Sequence, residues 1–171
     1  MKTLQTNRIE IIPLNKQDFS EIIKMYLEPD SNKYIRPLQG KTETEFLQFL
    51  EKKLSTNQSL KGLGFWTCRL KSNGNFIGTC NLNPFFETER IQIGCHLSSH
   101  YWNKGYAFEI LQEIVKHGTE DLKLKDLYGF FEPENSTSGK LMNKLSFEFL
   151  GKEKHFGIEL NVHKYASNKL D

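Results

Sequence analysis

The chain has 171 residues, 37% hydrophobic and 26% charged, with a formal net charge of +2 at pH 7. That length favours one domain over residues 1–171 with a sizeable core, and the composition argues against disorder. So small a charge excess gives no case for a nucleic-acid or membrane partner, and no run of about 18 apolar residues predicts a membrane span.

The N-terminus mixes charged and apolar residues from the start and lacks an apolar signal core, so a cytoplasmic location is expected. Residues 8–14 read as a first strand. Asn15 then looks like a helix cap, followed by Phe19, Ile22, Ile23, Tyr26 and Leu27 at helical spacing. Residues 30–40 hold Pro37 and Gly40 and read as a loop. Thr42 with Glu45 makes a capping box for a second helix bearing Phe46, Phe49, Leu50 and Leu54. Residues 65–70 and 76–82 are two strands joined at the hairpin signal Asn73-Gly74. Residues 90–98 form another strand, with Ile91, Ile93, Cys95 and Leu97 on one face and Gln92, Gly94, His96 and Ser98 on the other. A third helix starts near Lys104, and Ala107, Ile110, Leu111, Ile114 and Val115 form its buried stripe. Residues 127–131 read as a strand, Asn135 caps a short fourth helix, and 147–151 and 160–166 are two closing strands. The order β-α-α-β-β-β-α-β-α-β-β predicts an α/β fold, a mixed α+β sheet with helices on its faces.

The passage from strand to third helix carries the first chemical signal. The leading amides of a helix have no intrahelical partner, and the macrodipole makes that end electropositive, so it suits phosphate. Gly105 lets an anion approach the backbone, Ala107 keeps the wall thin, and Lys104 adds a charge at the mouth. An ordinary helix start with a turn-relieving glycine reads the same way locally. Rival phosphate motifs fail: Gly40-Lys41-Thr42 has Ile35 where a P-loop needs its first glycine, and no G-x-G-x-x-G follows a strand.

The stretch from Arg90 to Ile110, with Gly94, Leu97, Ser98, Tyr101-Trp102-Asn103-Lys104-Gly105-Tyr106-Ala107, resembles the core of the GNAT N-acetyltransferase superfamily, and most of all its RimJ/RimL type. The stretch Asn135-Ser-Thr-Ser138 to Phe147 resembles that group's N-x-x-S…L-G-F segment, and Thr6-Asn7-Arg8-Ile9 with Pro13-Leu14 resembles its opening. The similarity spans nearly the whole chain. It implies a mixed, mostly antiparallel sheet with a splayed strand pair and about four flanking helices. It also implies acetyl-CoA as donor and a primary amine as acceptor, either a protein N-terminus or a small molecule. By the same resemblance His96, Leu97 and Ser98 lie beside the pantetheine arm, the amides of Asn103, Lys104, Gly105, Tyr106, Ala107 and Phe108 hold the pyrophosphate, and Asn135 bonds the cofactor arm. A plain helix cap explains Asn135 equally well.

Transfer needs a neutral amine, donors for the thioester oxygen, and a proton for the leaving thiolate. Strand amides around Leu97 and Ser98 are candidate oxygen donors. Many relatives place a tyrosine acid where this chain has Met142, so Ser138, matching a serine of the RimJ/RimL type, is the candidate donor to the sulfur. Gln92 stands where a glutamate base is common. His96, on the same strand face and with an ordinary pKa of about 6.5, is the candidate base. Glu87, Glu89 and Glu132 are further candidates, though charged strand-end residues are usually just solvated. Asn103 and Ser146 replace common glycines, and Ser146 is expected to strain its corner. Metal binding is not expected, because Cys95 and His96 face opposite sides of a strand. Two other readings stay open: an acyl-CoA-binding module or sensor without transfer, motivated by Gln92 and Met142, and a structural domain that binds no coenzyme A. Strand edges near the C-terminus suit a homodimer.

Overall fold

The computed structural model describes residues 1–86 and 88–166. One eight-stranded sheet forms the centre, in the spatial order β1-β2-β3-β4-β5-β6-β8-β7. Its strands are β1 (Leu4–Gln5), β2 (Ile9–Pro13), β3 (Gly64–Leu70), β4 (Phe76–Pro84), β5 (Ile91–Leu97), β6 (Asp126–Phe131), β7 (Glu148–His155) and β8 (Ile158–Ala166). Four helices accompany it: α1 (Phe19–Tyr26), α2 (Glu43–Ser59), α3 (Tyr106–Lys116) and α4 (Ser136–Lys144). Every neighbouring pair is antiparallel except β5 with β6, which run parallel. The mixed sheet expected from the element order is therefore present.

Caps set the helix starts. Asn15 accepts from the Gln17 amide and Asp18 answers at the Asn15 amide, which closes a 3-10 turn (Lys16–Asp18) that feeds α1. Thr42 and Glu45 make the reciprocal box that opens α2. Apolar stripes then choose the faces. Ile110, Leu111 and Ile114 of α3 and Met142 of α4 pack on one side of the sheet against Ile93, Leu97, Leu127 and Phe131. Phe19, Ile22 and Tyr26 of α1 pack with Phe46 and Leu50 of α2 on the other side.

Two elements differ from expectation. The two-residue β1 is too short to leave a periodic pattern. Strand β7 runs on through Lys152-Glu153-Lys154-His155; the half-buried side chains there, Glu153 and His155, are polar and pair with Arg90 and with each other, so no apolar alternation marks the extension. The hairpin between β3 and β4 does form, with Gly74 at φ 73°, but residues 71–75 make a longer loop than a two-residue turn.

Helix α4 ends in a Schellman turn: the Phe147 amide bonds the Met142 carbonyl at 3.0 Å and the Ser146 amide bonds the Asn143 carbonyl at 3.0 Å. This geometry forces Ser146 to φ 65°, the left-handed region that a Cβ disfavours. Ser146→Gly should therefore raise unfolding stability by about 0.5–1 kcal/mol in chemical denaturation; a loss of stability would contradict the strain.

Candidate functional site

Strand β5 is paired with β4 at seven positions but with β6 at one, Gln92 with Tyr128. Beyond that position the two parallel strands part. Backbone groups in an antiparallel pair alternate between partner and outside. The Ser98 amide donates to the Ile77 carbonyl at 3.0 Å, so the backbones of Ser98 and His96 face β4 and those of Leu97 and Cys95 face the gap. The Ser98 amide is thus committed and cannot serve as an oxygen donor, which corrects half of the expected pair. The Leu97 carbonyl is taken by the Trp102 indole N–H at 2.8 Å, while the Leu97 amide stays on the open edge.

A short 3-10 turn (Ser99–Tyr101) leads from β5 to a loop in which Asn103 (φ 58°) and Gly105 (φ 79°) are both left-handed. Asparagine tolerates that conformation, so its replacement of a glycine does not block the loop. Gly105 is the N-cap of α3, and no side chain caps the helix. The first intrahelical bond runs from the Glu109 amide to the Gly105 carbonyl at 3.2 Å, which leaves the Tyr106, Ala107 and Phe108 amides ahead of it. These amides and the positive end of α3 fit a pyrophosphate. The Lys104 ammonium turns back onto the His100 carbonyl at 2.7 Å.

Arg8 completes this corner, and motif reading gave it no role. Its Nε and Nη2 reach Glu109 Oε2 at 2.7 and 2.6 Å, its amide reaches Oε1 at 2.9 Å, and Nη1 holds the Lys104 carbonyl at 3.3 Å. Burial alone would raise the Glu109 carboxyl, but hydrogen bonds from Thr6 and Arg8 hold it below its ordinary value. The one acid in the first turn of α3 is thereby neutralised, so it does not repel an incoming anion.

Across the gap, Asn135 caps α4, its Oδ1 accepting the Ser138 amide at 3.1 Å. Its side-chain amide remains for a ligand, so capping and binding are compatible. The Ser138 hydroxyl is half-buried and has no hydrogen-bond partner among the described residues. Met142 lies in the core with its sulfur against Gly129, where an added Cβ would sit 2.5 Å from Sδ.

His96 is placed differently from a base. Its Nε2 pairs with the Ser31 hydroxyl at 2.7 Å, and its ring stacks on Tyr26 with centroids 5.3 Å apart. Burial first, and the Lys53 charge second, push the imidazole down to about 4. A group so weakly basic and so tied is poorly placed to collect protons near neutrality, which weighs against the expected base role. Glu132, expected to be solvated, is buried at 8% exposure and held by Arg36 through Nε at 3.0 Å and Nη2 at 2.8 Å. It lies in a cleft of about 560 Å³ lined by Lys33, Tyr34 and Arg36 on one wall and Glu132, Pro133, Glu134, Ile158 and Glu159 on the other. Glu89 is exposed, and Glu87 lies outside the described residues. The Cys95 side chain packs with the α3-side core while His96 stacks on Tyr26 on the other face.

The neutral preference of His96 has a stability consequence. Between pH 6.5 and about 4 the unfolded chain binds a proton that the folded chain refuses, so stability falls as pH falls through that window. The His96 share is about 3 kcal/mol. His96→Gln should flatten this acid limb in denaturant titrations across the window; an unchanged slope would contradict it.

A sequence profile for the acetyltransferase (GNAT) domain matches residues 8–148. The uncharacterized N-acetyltransferase p20 of Bacillus licheniformis is 29% identical over 180 aligned positions, covering 100% of this chain and 98% of that protein. The crystal structure of a GNAT-family acetyltransferase from Bacillus anthracis aligns with a TM-score of 0.82 at 22% identity, over 96% of this chain and 98% of that one. RimL, a ribosomal L7/L12 alpha-N-protein acetyltransferase solved with coenzyme A, aligns with a TM-score of 0.82 at 12% identity, over 96% and 98% of the two chains.

Proposed function

The chain belongs to the GNAT acetyltransferase family and moves acetyl from acetyl-CoA to an amine, and from that premise we propose which of its residues do the work. The observation that carries the reading is the parting of β5 from β6 directly before an uncapped helix start. The amides of Tyr106, Ala107 and Phe108, with the left-handed Asn103 and Gly105 shaping their approach and Lys104 at the rim, hold the pyrophosphate. The open edge of β5 at Leu97 binds the pantetheine arm, and its amide donates to the thioester oxygen as charge develops there. Asn135 offers its free side-chain amide to the same arm from across the gap.

The amine attacks the thioester carbon directly. No relay through a cysteine is needed, because burial pushes the Cys68, Cys80 and Cys95 thiols upward and keeps them protonated. The nitrogen of the tetrahedral adduct loses a proton to water, the carbon–sulfur bond breaks, and the departing thiolate, hydrogen-bonded by the unengaged Ser138 hydroxyl, takes up a proton that reaches it from solvent through that hydroxyl. The acceptor is a primary amine, either a protein N-terminal α-amine or a small molecule. An α-amine has an ordinary pKa near ~8 and is partly neutral without help, which suits a site with Gln92 at the usual base position. That the structurally similar RimL acts on a ribosomal-protein α-amine supports the same choice.

Three further parts belong to this reading. A cytoplasmic location suits the three free cysteines; the Cys68 thiol donates to the Cys80 sulfur at 3.7 Å with no disulfide between them. No helix among the described residues is long and apolar enough to cross a membrane. The outer edge of β7, with Phe149 and Leu150 exposed, supports pairing with a second copy.

Ser138→Ala should lower kcat by about ten- to a hundredfold, since a thiolate needs less help than most leaving groups, while KM for acetyl-CoA changes little. Thiol release under saturating acetyl-CoA reads this. Unchanged turnover would remove Ser138 from the mechanism.

A further inference from the structure

The cleft at the end of β6 segregates its charges by wall. The wall from the α1–α2 connection carries the cations Lys33 and Arg36. The wall formed by the end of β6 and the start of β8 carries the carboxylates Glu132, Glu134 and Glu159. Glu159 is engaged by Lys152 at 2.6 Å, and Glu132 by Arg36. Glu134 and Lys33 have no ion-pair partner among the described residues; Lys33 rests over the Tyr34 ring at 5.3 Å.

Arg36 has unused capacity. It spends Nε and Nη2 on Glu132, while Nη1 has no hydrogen-bond partner among the described residues. Its side chain is 49% exposed whereas that of Glu132 is 10% exposed, so the guanidinium presents its outer edge to the cleft. That edge matches a second carboxylate in bidentate geometry. The Arg36–Glu132 pair need not break for this; Glu132 holds the guanidinium in place for the guest. Glu132 directly follows β6, one of the two strands that flank the gap. A cleft of about 560 Å³ suits a small ligand or a short peptide end.

We propose that this cleft binds an acceptor that carries a carboxylate as well as its amine, the carboxylate meeting Arg36 and Lys33 and the amine, which sheds its proton before attack, lying toward Glu132 and Glu134. This rests on the transferase reading above and names the acceptor class for it. Arg36 is a specificity-determining residue: it selects by charge and takes no part in the bond changes. The same amine-plus-carboxylate pattern occurs in a small amino carboxylate and in a peptide whose second residue is acidic.

The test measures affinity and turnover separately on the full chain with coenzyme A or acetyl-CoA present. One pair of probes is alanylglycine and its carboxamide, whose α-amines titrate alike. A second pair is a tetrapeptide amide with aspartate or asparagine at its second position. Calorimetry should show the carboxylate member of at least one pair binding about tenfold tighter or more, and the pair that discriminates identifies the source of the carboxylate. The ratio should fall to near one in R36Q. Because that change leaves Glu132 buried without its partner, R36Q/E132Q is measured beside it and should lose the preference as well. Equal affinity within both pairs, or a preference kept in both variants, would overturn the inference. Thiol release reads the transferase reading independently: selective binding without thiol release sinks that reading and leaves this inference, and thiol release with unselective binding does the reverse.

Discussion

Strands β5 and β6 run parallel yet share a single paired position, Gln92 with Tyr128, and the site depends on that separation. Each strand can leave the other because each is secured on its far side. Strand β5 pairs with β4 along its whole length, and β6 pairs with β8 at six positions. The gap costs little, since the edge it exposes on β5 is small and one of its carbonyls, that of Leu97, is taken by Trp102. In return it brings two helix N-termini to the same end of the sheet, α3 after β5 and α4 after β6, and leaves a strand edge between them that a linear ligand can pair with.

The connection between α1 and α2 bridges the far sides of this gap. On the β5 side, Glu28 accepts the Ser99 amide at 2.8 Å and Ser31 pairs with His96. On the β6 side, Arg36 holds Glu132 and the Tyr34 hydroxyl reaches the Glu134 carbonyl at 3.3 Å. His96 is therefore a structural tie between the connection and the strand, through Ser31 and Tyr26. The Arg36–Glu132 pair combines a buried and a half-exposed partner. Pairs of that kind contribute more to positioning than to net stability, and removing one member alone leaves a buried charge uncompensated.

Local signals carried the elements well. The stripe Ile110, Leu111, Ile114 placed α3, and the cap at Asn15 and the box at Thr42 placed two helix starts, because those contacts lie within one or two turns of chain. The expectation that Ser146 is strained also held, since a Schellman turn dictates its φ from neighbouring residues alone. What the chain did not disclose lies at long range. Arg8 meets Glu109 across 101 residues and Arg36 meets Glu132 across 96, and no pattern in either segment marks its partner. Glu132 looked like a solvated strand-end acid for that reason. His96 looked like a base because its strand face was legible while Tyr26 and Ser31, 70 and 65 residues away in sequence, were not. The role of the Ser98 amide depended on register, which one residue of slip would invert.

We infer that the uncapped start of α3 holds the pyrophosphate of acetyl-CoA beside the open edge of β5. Calorimetric titration of acetyl-CoA against S-acetylpantetheine, which keeps the thioester arm and lacks the pyrophosphate, tests it most directly. Acetyl-CoA should bind saturably and at least about a hundredfold tighter, as expected when several charge-assisted amide bonds at a helix N-terminus are lost together. Equal affinity for the two thioesters would contradict the account.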